Sequence, residues 1–427
     1  MLSDLLITLI LLIFIIPGLK HPYILLGGLV FVDLMQPQSM SQSFLSGKPL
    51  SLIMTALFFL SILINFKKLS WPRIIFPSLM LVMLMIWITI TTFLAEFEYY
   101  AWIKYDYVIK TLFVCLFIPF VLNSRVKIDT FIGMLVVTTS FVTVSAGVKT
   151  LFSGGGYGNN IYMSVGNSGF SESSTVSMIA VIMIPLTIYI AKHSIYSNTI
   201  PKIKLVAYAY AFFNLLAVIG TYARTGLVGL FVLGAMNYRY ILLKVKIFIP
   251  IAILFLIVSA LVSDEWIGRM ETISDSKSES SAYGRIVVWR WTLDYVKDRP
   301  FFGGGFQSFL ANAGELQNYI VADTSISHTE TGKAYHSIYF EVLGEHGYVG
   351  LGIYLILIYL CVSIARKIRK QTLENSWENN LSVVIVQVTI IYSVCGAFIG
   401  VAFYPWLYYL LGIAVALDNV VHKKQER

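Results

Sequence analysis

About thirteen apolar runs follow one another along this 427-residue chain, most of them near the ~20 residues that cross the hydrocarbon of a bilayer, and no other feature constrains the fold as tightly. They lie at about 4–19, 23–35, 50–65, 74–95, 106–122, 129–151, 174–191, 203–220, 224–238, 247–263, 347–365, 380–402 and 404–420. In lipid, backbone polar groups are satisfied only inside a helix or a closed barrel, and continuous rather than alternating apolar character selects the helix. The expected fold is an all-α integral membrane protein, a polytopic bundle of about 12–13 transmembrane helices. The second and ninth runs are short, so twelve crossings with one half-inserted helix is the other count, and the side of the N-terminus stays open. Composition excludes a soluble enzyme: 57% of residues are hydrophobic and only 13% charged, against roughly 25% charged in soluble chains. The first run lacks a basic leader and a small-residue cleavage site, so it reads as a span and not as a removed signal peptide. Cys115, Cys361 and Cys395 all sit inside apolar runs, where no disulfide or Cys-x-x-Cys metal site is expected.

Positive charge orients the bundle. Nineteen of the 31 basic residues, among them Lys67, Lys68, Arg125, Lys127, Arg366, Lys367 and Lys423, fall in connections on one side of the alternating map. That side is read as cytoplasmic, with the C-terminus inside. The net charge of +8 is then mainly a topology signal, and a nucleic-acid partner loses its support.

Twelve basic residues fall on the opposite side. Lys48, Lys104, Lys110, Lys149 and Arg224 lie near the ends of spans, and Arg269, Lys277, Arg285, Arg290, Lys297, Arg299 and Lys333 lie in one long polar connection. A charge at the membrane edge is costly unless it is paired, snorkels to water or meets an anionic ligand. The chain therefore divides into a transmembrane bundle at 1–263, a long outer loop at 264–346, which the resemblance described below makes a periplasmic loop with the catalytic segment, and C-terminal spans with a short tail at 347–427. In the loop, a flexible serine-rich stretch at 274–281 precedes an amphipathic helix over 283–297, with Arg285 one turn before Trp289. Pro300 ends the helix, and Gly303-Gly304-Gly305 permits a sharp turn and close backbone approach. His336 shares a helical face with Tyr339, Phe340 and Leu343, and a histidine there is either a neutral base or an interfacial packing residue.

These residues resemble a known family. Tyr222-Ala223-Arg224-Thr225-Gly226 opening a span, Gly284-Arg285 with Trp289, Pro300 with Gly303 and Gly305, and His336 with Tyr339, Glu345, Gly347 and Gly350 are similar in order and spacing to the O-antigen ligase and polymerase superfamily, over roughly residues 205–365. The N-terminal third, with Lys20-His21-Pro22-Tyr23, Gln36-Pro37 and the glycine run at 154–158, resembles O-glycosylation ligases associated with exosortase systems. Gln36-Pro37-Gln38 stands where that family has Asn-Pro-His. The resemblance implies a glycosyltransferase of the bacterial inner membrane working at the periplasmic face. Its donor would be a glycan on undecaprenyl pyrophosphate, and its acceptor a hydroxyl of lipid A core, protein or another glycan. It further implies that Arg224 and Arg285 bind the pyrophosphate, that His336 activates the acceptor, and that the reaction is inverting and uses no metal or other cofactor.

The chemistry of the residues agrees with that reading. A diphosphate leaves readily once its charge is neutralised, and the planar guanidinium fork binds its oxygens in pairs. An attacking alcohol must lose a proton, for which a histidine is suited. Lys104, Lys110 and Arg299 are further candidates for the donor site, although Asp106 stands one turn from Lys110 and can simply neutralise it. Arg290 is expected to pair with Asp294. No metal is expected, since Asp-x-Asp is absent and His328-Thr329-Glu330 is isolated. A lipid-linked glycan flippase is the rival of another class, but it would place ionisable residues through several span centres. A structural envelope scaffold is the third reading, and it would tolerate replacement of Arg224, Arg285 and His336.

Overall fold

The computed structural model describes residues 2–41, 43–155, 170, 172–242, 280–320 and 332–426. The tenth expected run at 247–263, the stretch 274–279 and the His328-Thr329-Glu330 triplet lie outside them. Among the described residues there is no strand, and the chain is a polytopic helical membrane protein. Six helices are long and apolar enough to cross a membrane: Phe76–Phe93, Arg125–Phe152, Ser173–Lys192, Ile203–Gly220, Ile338–Gln371 and Trp377–Gly396. Shorter apolar helices cover Asp4–Gly18, Pro22–Met35 and Leu50–Ile64.

In chain order the longer helices are α1 (Leu2–Gly18), α2 (Pro22–Met35), α3 (Leu50–Ile64), α4 (Phe76–Phe93), α5 (Glu98–Leu116), α6 (Arg125–Ser153), α7 (Ser173–Lys192), α8 (Ile203–Gly220), α9 (Arg224–Leu242), α10 (Ser280–Tyr295), α11 (Ile338–Gln371), α12 (Trp377–Gly396) and α13 (Trp406–Gln425). Local chemistry sets several ends. Pro22 opens α2, where its missing N–H costs nothing, and Ser376 caps α12 by accepting a hydrogen bond from the Asn379 N–H at 3.2 Å.

Two helices organise the packing. α7 is the most enclosed candidate span, with 83% of its apolar window inside the protein, and α6, α8, α9 and α12 surround it. α11 is the second hub, packed by α4, α12 and α13. Lipid tails are as apolar as leucine, so these contacts depend on close fit and buried hydrogen bonds more than on the hydrophobic effect. The Tyr354 and Tyr392 hydroxyls meet at 2.9 Å, and Tyr392 Oη also lies 2.9 Å from the Val401 carbonyl. The Tyr408 hydroxyl donates to the Ala402 carbonyl at 3.0 Å, so the turn between α12 and α13 is tied to both helices.

Three boundaries differ from the hydropathy reading. α5 starts at Glu98 and not near 106, so Lys104 and Asp106 stand within the helix. α11 starts at Ile338, well before 347, and breaks at Gly347 (φ 67°, ψ −170°). α12 stops at Gly396, and turns occupy the remainder of the run expected to reach 402. The amphipathic loop helix is α10: Tyr283, Val287, Val288 and Trp291 are buried, while Arg290, Leu293 and Asp294 are exposed. Asp294 accepts from Lys297 at 2.6 Å, which replaces the expected Arg290 pair.

Candidate active site

The His336 segment is held on both flanks. The indole N–H of Trp289 on α10 donates to the carbonyl of Tyr335 at 2.9 Å, and its ring stacks on Phe340 at 5.0 Å. The Tyr335 and Ser308 hydroxyls meet at 2.7 Å, and Ser308 Oγ also donates to the Gly344 carbonyl. Upstream, the Asn312 side chain donates to the Lys333 carbonyl and accepts from the Lys333 N–H, both at 2.8 Å. Between these anchors His336 adopts φ 47°, a left-handed conformation that costs free energy for a residue with a Cβ. The neighbouring contacts over-determine it, and α11 begins immediately afterwards behind Ser337.

Charged groups from three parts of the chain surround the imidazole. Burial holds its pKa below the ordinary 6.5; nearby Glu172 opposes that shift, while Arg285 and Lys333 reinforce it. His336 is therefore neutral near pH 7, as a base must be. Arg285 lies half-buried on α10, one turn before Trp289, so the hydrogen bond that fixes Tyr335 also fixes where Arg285 projects. The Lys333 ammonium lies over the same turn, 3.6 Å from where a Cβ on Gly284 would stand.

Arg224 opens α9 after Tyr222, which is itself left-handed (φ 52°) and donates to the Gly154 carbonyl at 3.1 Å. The next carbonyl, of Thr225, accepts from Cys395 Sγ at the end of α12. The same end of α12 receives the start of α11: Tyr339 Oη donates to the Ser393 carbonyl at 2.9 Å, and Ile338 packs on Gly396. Residues that follow Arg224 and His336 thus both touch the end of α12.

Lys104, Glu341 and Glu345 form a separate buried cluster. Lys104 Nζ donates to Glu341 Oε1 at 2.8 Å and to the two oxygens of Glu345 at 2.8 and 2.9 Å. The second oxygen of Glu341 accepts the Ala402 N–H at 3.0 Å, and Glu345 Oε1 accepts the Gln307 N–H at 2.9 Å. A cavity of ≈ 360 Å³ lies against this cluster, walled by Tyr107, Tyr335, Phe403 and Tyr404 and also reached by Glu172.

The other two candidates stand elsewhere. Lys110 pairs with Asp106 on an exposed face. Arg299 binds Glu96 at 3.1 Å and stacks on Tyr295, 4.6 Å from its centroid, while the Tyr295 hydroxyl donates to the same carboxylate at 2.6 Å. It therefore clamps the end of α10 to the α4–α5 turn. The glycine run also has a packing use. Gly304 and Gly305 donate their N–H groups to the carbonyls of Gly344 and Glu345, both at 2.9 Å, so these donors are already engaged. Gly303 (φ 64°) approaches α11 so closely that a Cβ would stand 2.6 Å from the Gly344 carbonyl oxygen.

Sequence reasoning missed the placement of Glu172, Glu341 and Lys333. Glu341 and Glu345 carried a usable signal, two acids one turn apart in an apolar stretch, which implies a buried partner. Glu172 carried none, since it reaches His336 from far away in the chain.

Residues 2–195 match a family of unknown function (DUF5935), and residues 209–355 match the O-antigen ligase family. No curated protein matches the chain. The N-terminal match names no activity, whereas the second spans Arg224, Arg285 and His336 and coincides closely with the stretch where the motifs were found. The chain thus carries, at residues 209–355, a domain that matches the O-antigen ligase family.

Proposed function

We propose that this protein transfers a glycan from undecaprenyl pyrophosphate to an acceptor hydroxyl, with lipid A core favoured, at the periplasmic face of the bacterial inner membrane. The observation that carries the reading is that Trp289 fixes the α10 turn bearing Arg285 to the residue preceding His336. Two cations and a neutral imidazole then converge where a diphosphate sugar and an alcohol would meet. His336 takes the proton of the acceptor hydroxyl as its oxygen attacks the anomeric carbon. The bond from that carbon to the diphosphate oxygen breaks, and undecaprenyl pyrophosphate leaves with the electron pair. Arg285, with Lys333 beside it and Arg224 across the end of α12, neutralises the growing charge. Attack opposite the leaving group inverts the anomeric centre, and fixed cations take the place of a metal, as the resemblance implies.

The test is reconstitution in lipid with an undecaprenyl-linked glycan, offering lipid A core, protein and free glycan acceptors in parallel. Transfer that disappears in His336→Ala, with the variant still inserted and folded, is the expected result. Wild-type protein that leaves all three acceptors unmodified would overturn the reading. Transfer to glycan or protein alone would reassign the protein as a polymerase or a protein O-oligosaccharyltransferase using the same donor.

A further inference from the structure

The ≈ 360 Å³ cavity beside His336 has a wall chemistry that differs from what a diphosphate requires. Its cationic group among the described residues is Lys104, and that ammonium is already held by Glu341 and Glu345 through three contacts of 2.8–2.9 Å. Glu172 adds a third carboxylate to the lining, so acids outnumber the ammonium. Arg285 and Lys333 are not part of that lining, although both are electrostatic neighbours of His336. The imidazole therefore has carboxylates of the cavity and cations of the α10 turn as its two sets of neighbours.

The remaining wall mixes aromatic residues, Tyr335 and Phe403 among them, with aliphatic ones such as Ile103 and Val108, and the volume is near the lower end of the ~300–1,000 Å³ typical of small-molecule pockets. Aromatic faces cover the C–H face of a sugar ring, and carboxylate oxygens accept from hydroxyl or ammonium groups. A carboxylate or phosphate brought in would meet like charge in a partly desolvated space, which is strongly unfavourable. The cavity wall also runs close to the segment that carries the base: a Cβ on Gly400, in that wall, would stand 3.6 Å from Glu341 Oε2 and 3.7 Å from the His336 backbone nitrogen.

We propose that this cavity is the subsite for one sugar ring of the acceptor, that it takes uncharged or amine-bearing rings and turns away carboxylated or phosphorylated ones, and that Glu172 and Glu341 set the preference. The assignment to the acceptor rests on the transferase reading; the ring preference does not. It adds a division of labour, with the diphosphate on the α10 side of His336 and the acceptor ring on the other.

The test is saturation-transfer NMR on the full chain in lipid nanodiscs without donor, using methyl glucoside, methyl glucosaminide and methyl glucuronide as probes. The first two should bind, and the glucuronide should bind at least about tenfold more weakly. Glu172→Gln, at an exposed position, and Glu341→Gln should each narrow that gap. Gly400→Leu should remove binding of all three probes while the thermal midpoint holds. Equal binding of the glucuronide, no binding of any probe, or an unchanged gap in both glutamine variants would overturn the proposal. Because donor is absent, the two claims separate: a protein that discriminates the probes but transfers nothing keeps the subsite and sinks the transferase reading. A protein that transfers but does not discriminate does the reverse.

Discussion

Two charged clusters lie a few residues apart in this protein and differ in how their signs are arranged. Around Lys104, one ammonium is matched by Glu341 and Glu345, with side-chain exposures of 19%, 9% and 1%, and backbone N–H groups take up further carboxylate oxygens. Around His336, the cations Arg285 and Lys333 and the carboxylates Glu172 and Glu341 act on an imidazole held in a left-handed conformation. The first arrangement is self-satisfying and ties α5 and α11 to the glycine turn and the α12–α13 turn. The second brings charges of both signs from separate parts of the chain to one neutral imidazole. Charge of similar amount near a membrane edge thus serves to tie helices together in one cluster and to tune a base in the other.

The contrast can be broken most forcefully at its centre. His336→Ala should lower transfer by roughly 10²–10⁴ and leave the thermal midpoint in nanodiscs where it was; a wild-type rate would remove the functional half of the comparison. Glu345→Ala should behave in the opposite way. It strips a partner from a buried pair, so a stability loss of about 3–5 kcal/mol is expected, measured by thermal or denaturant unfolding, with activity lost only as the fold is. Gly347→Ala should cost about 1–3 kcal/mol, because φ is 67° and the new methyl would meet the Phe301 carbonyl; an unchanged midpoint would show that α11 tolerates a different break. Arg285→Lys should weaken donor use about tenfold with no change in stability, read as a rise in KM for the lipid-linked donor.

The smallest effect concerns pH. Burial disfavours the imidazolium of His336, so its folded-state pKa lies below the 6.5 of an exposed histidine. The rate should therefore stay level as pH falls through 6.5 and decline only at lower values. By the same linkage the unfolded chain takes up the proton first, so this group withdraws stability as pH decreases. An acid limb of the rate profile centred above 6.5 would show that the imidazole is not shielded in the working protein.

Much of the bundle was legible because lipid leaves so few options for the backbone. Of the thirteen expected runs, each that falls among the described residues is helical. Errors came at helix ends that carry polar residues, as at Glu98 on α5 and between Ile338 and His346 on α11, since hydropathy assigns such residues to water. Arg285 and His336 were singled out by spacing and resemblance, and the fold brings them within electrostatic reach of each other. Lys110 and Arg299 were singled out by charge alone, and each is found with its own carboxylate. Charge in a sequence does not say whether its partner is another side chain or a ligand.

The amino-acid sequence alone determined that this chain is helical, lies in a membrane and carries the motifs of a glycan-joining family, because the apolar period and the order of a few residues are local properties. Tertiary structure alone decided that Glu172 approaches His336, that Lys104 is held by two acids, and that a cavity lies between them. Those facts depend on which helix ends meet, and with no net hydrophobic force between helices in lipid, such meetings are set by fit and hydrogen bonding among residues far apart in the chain.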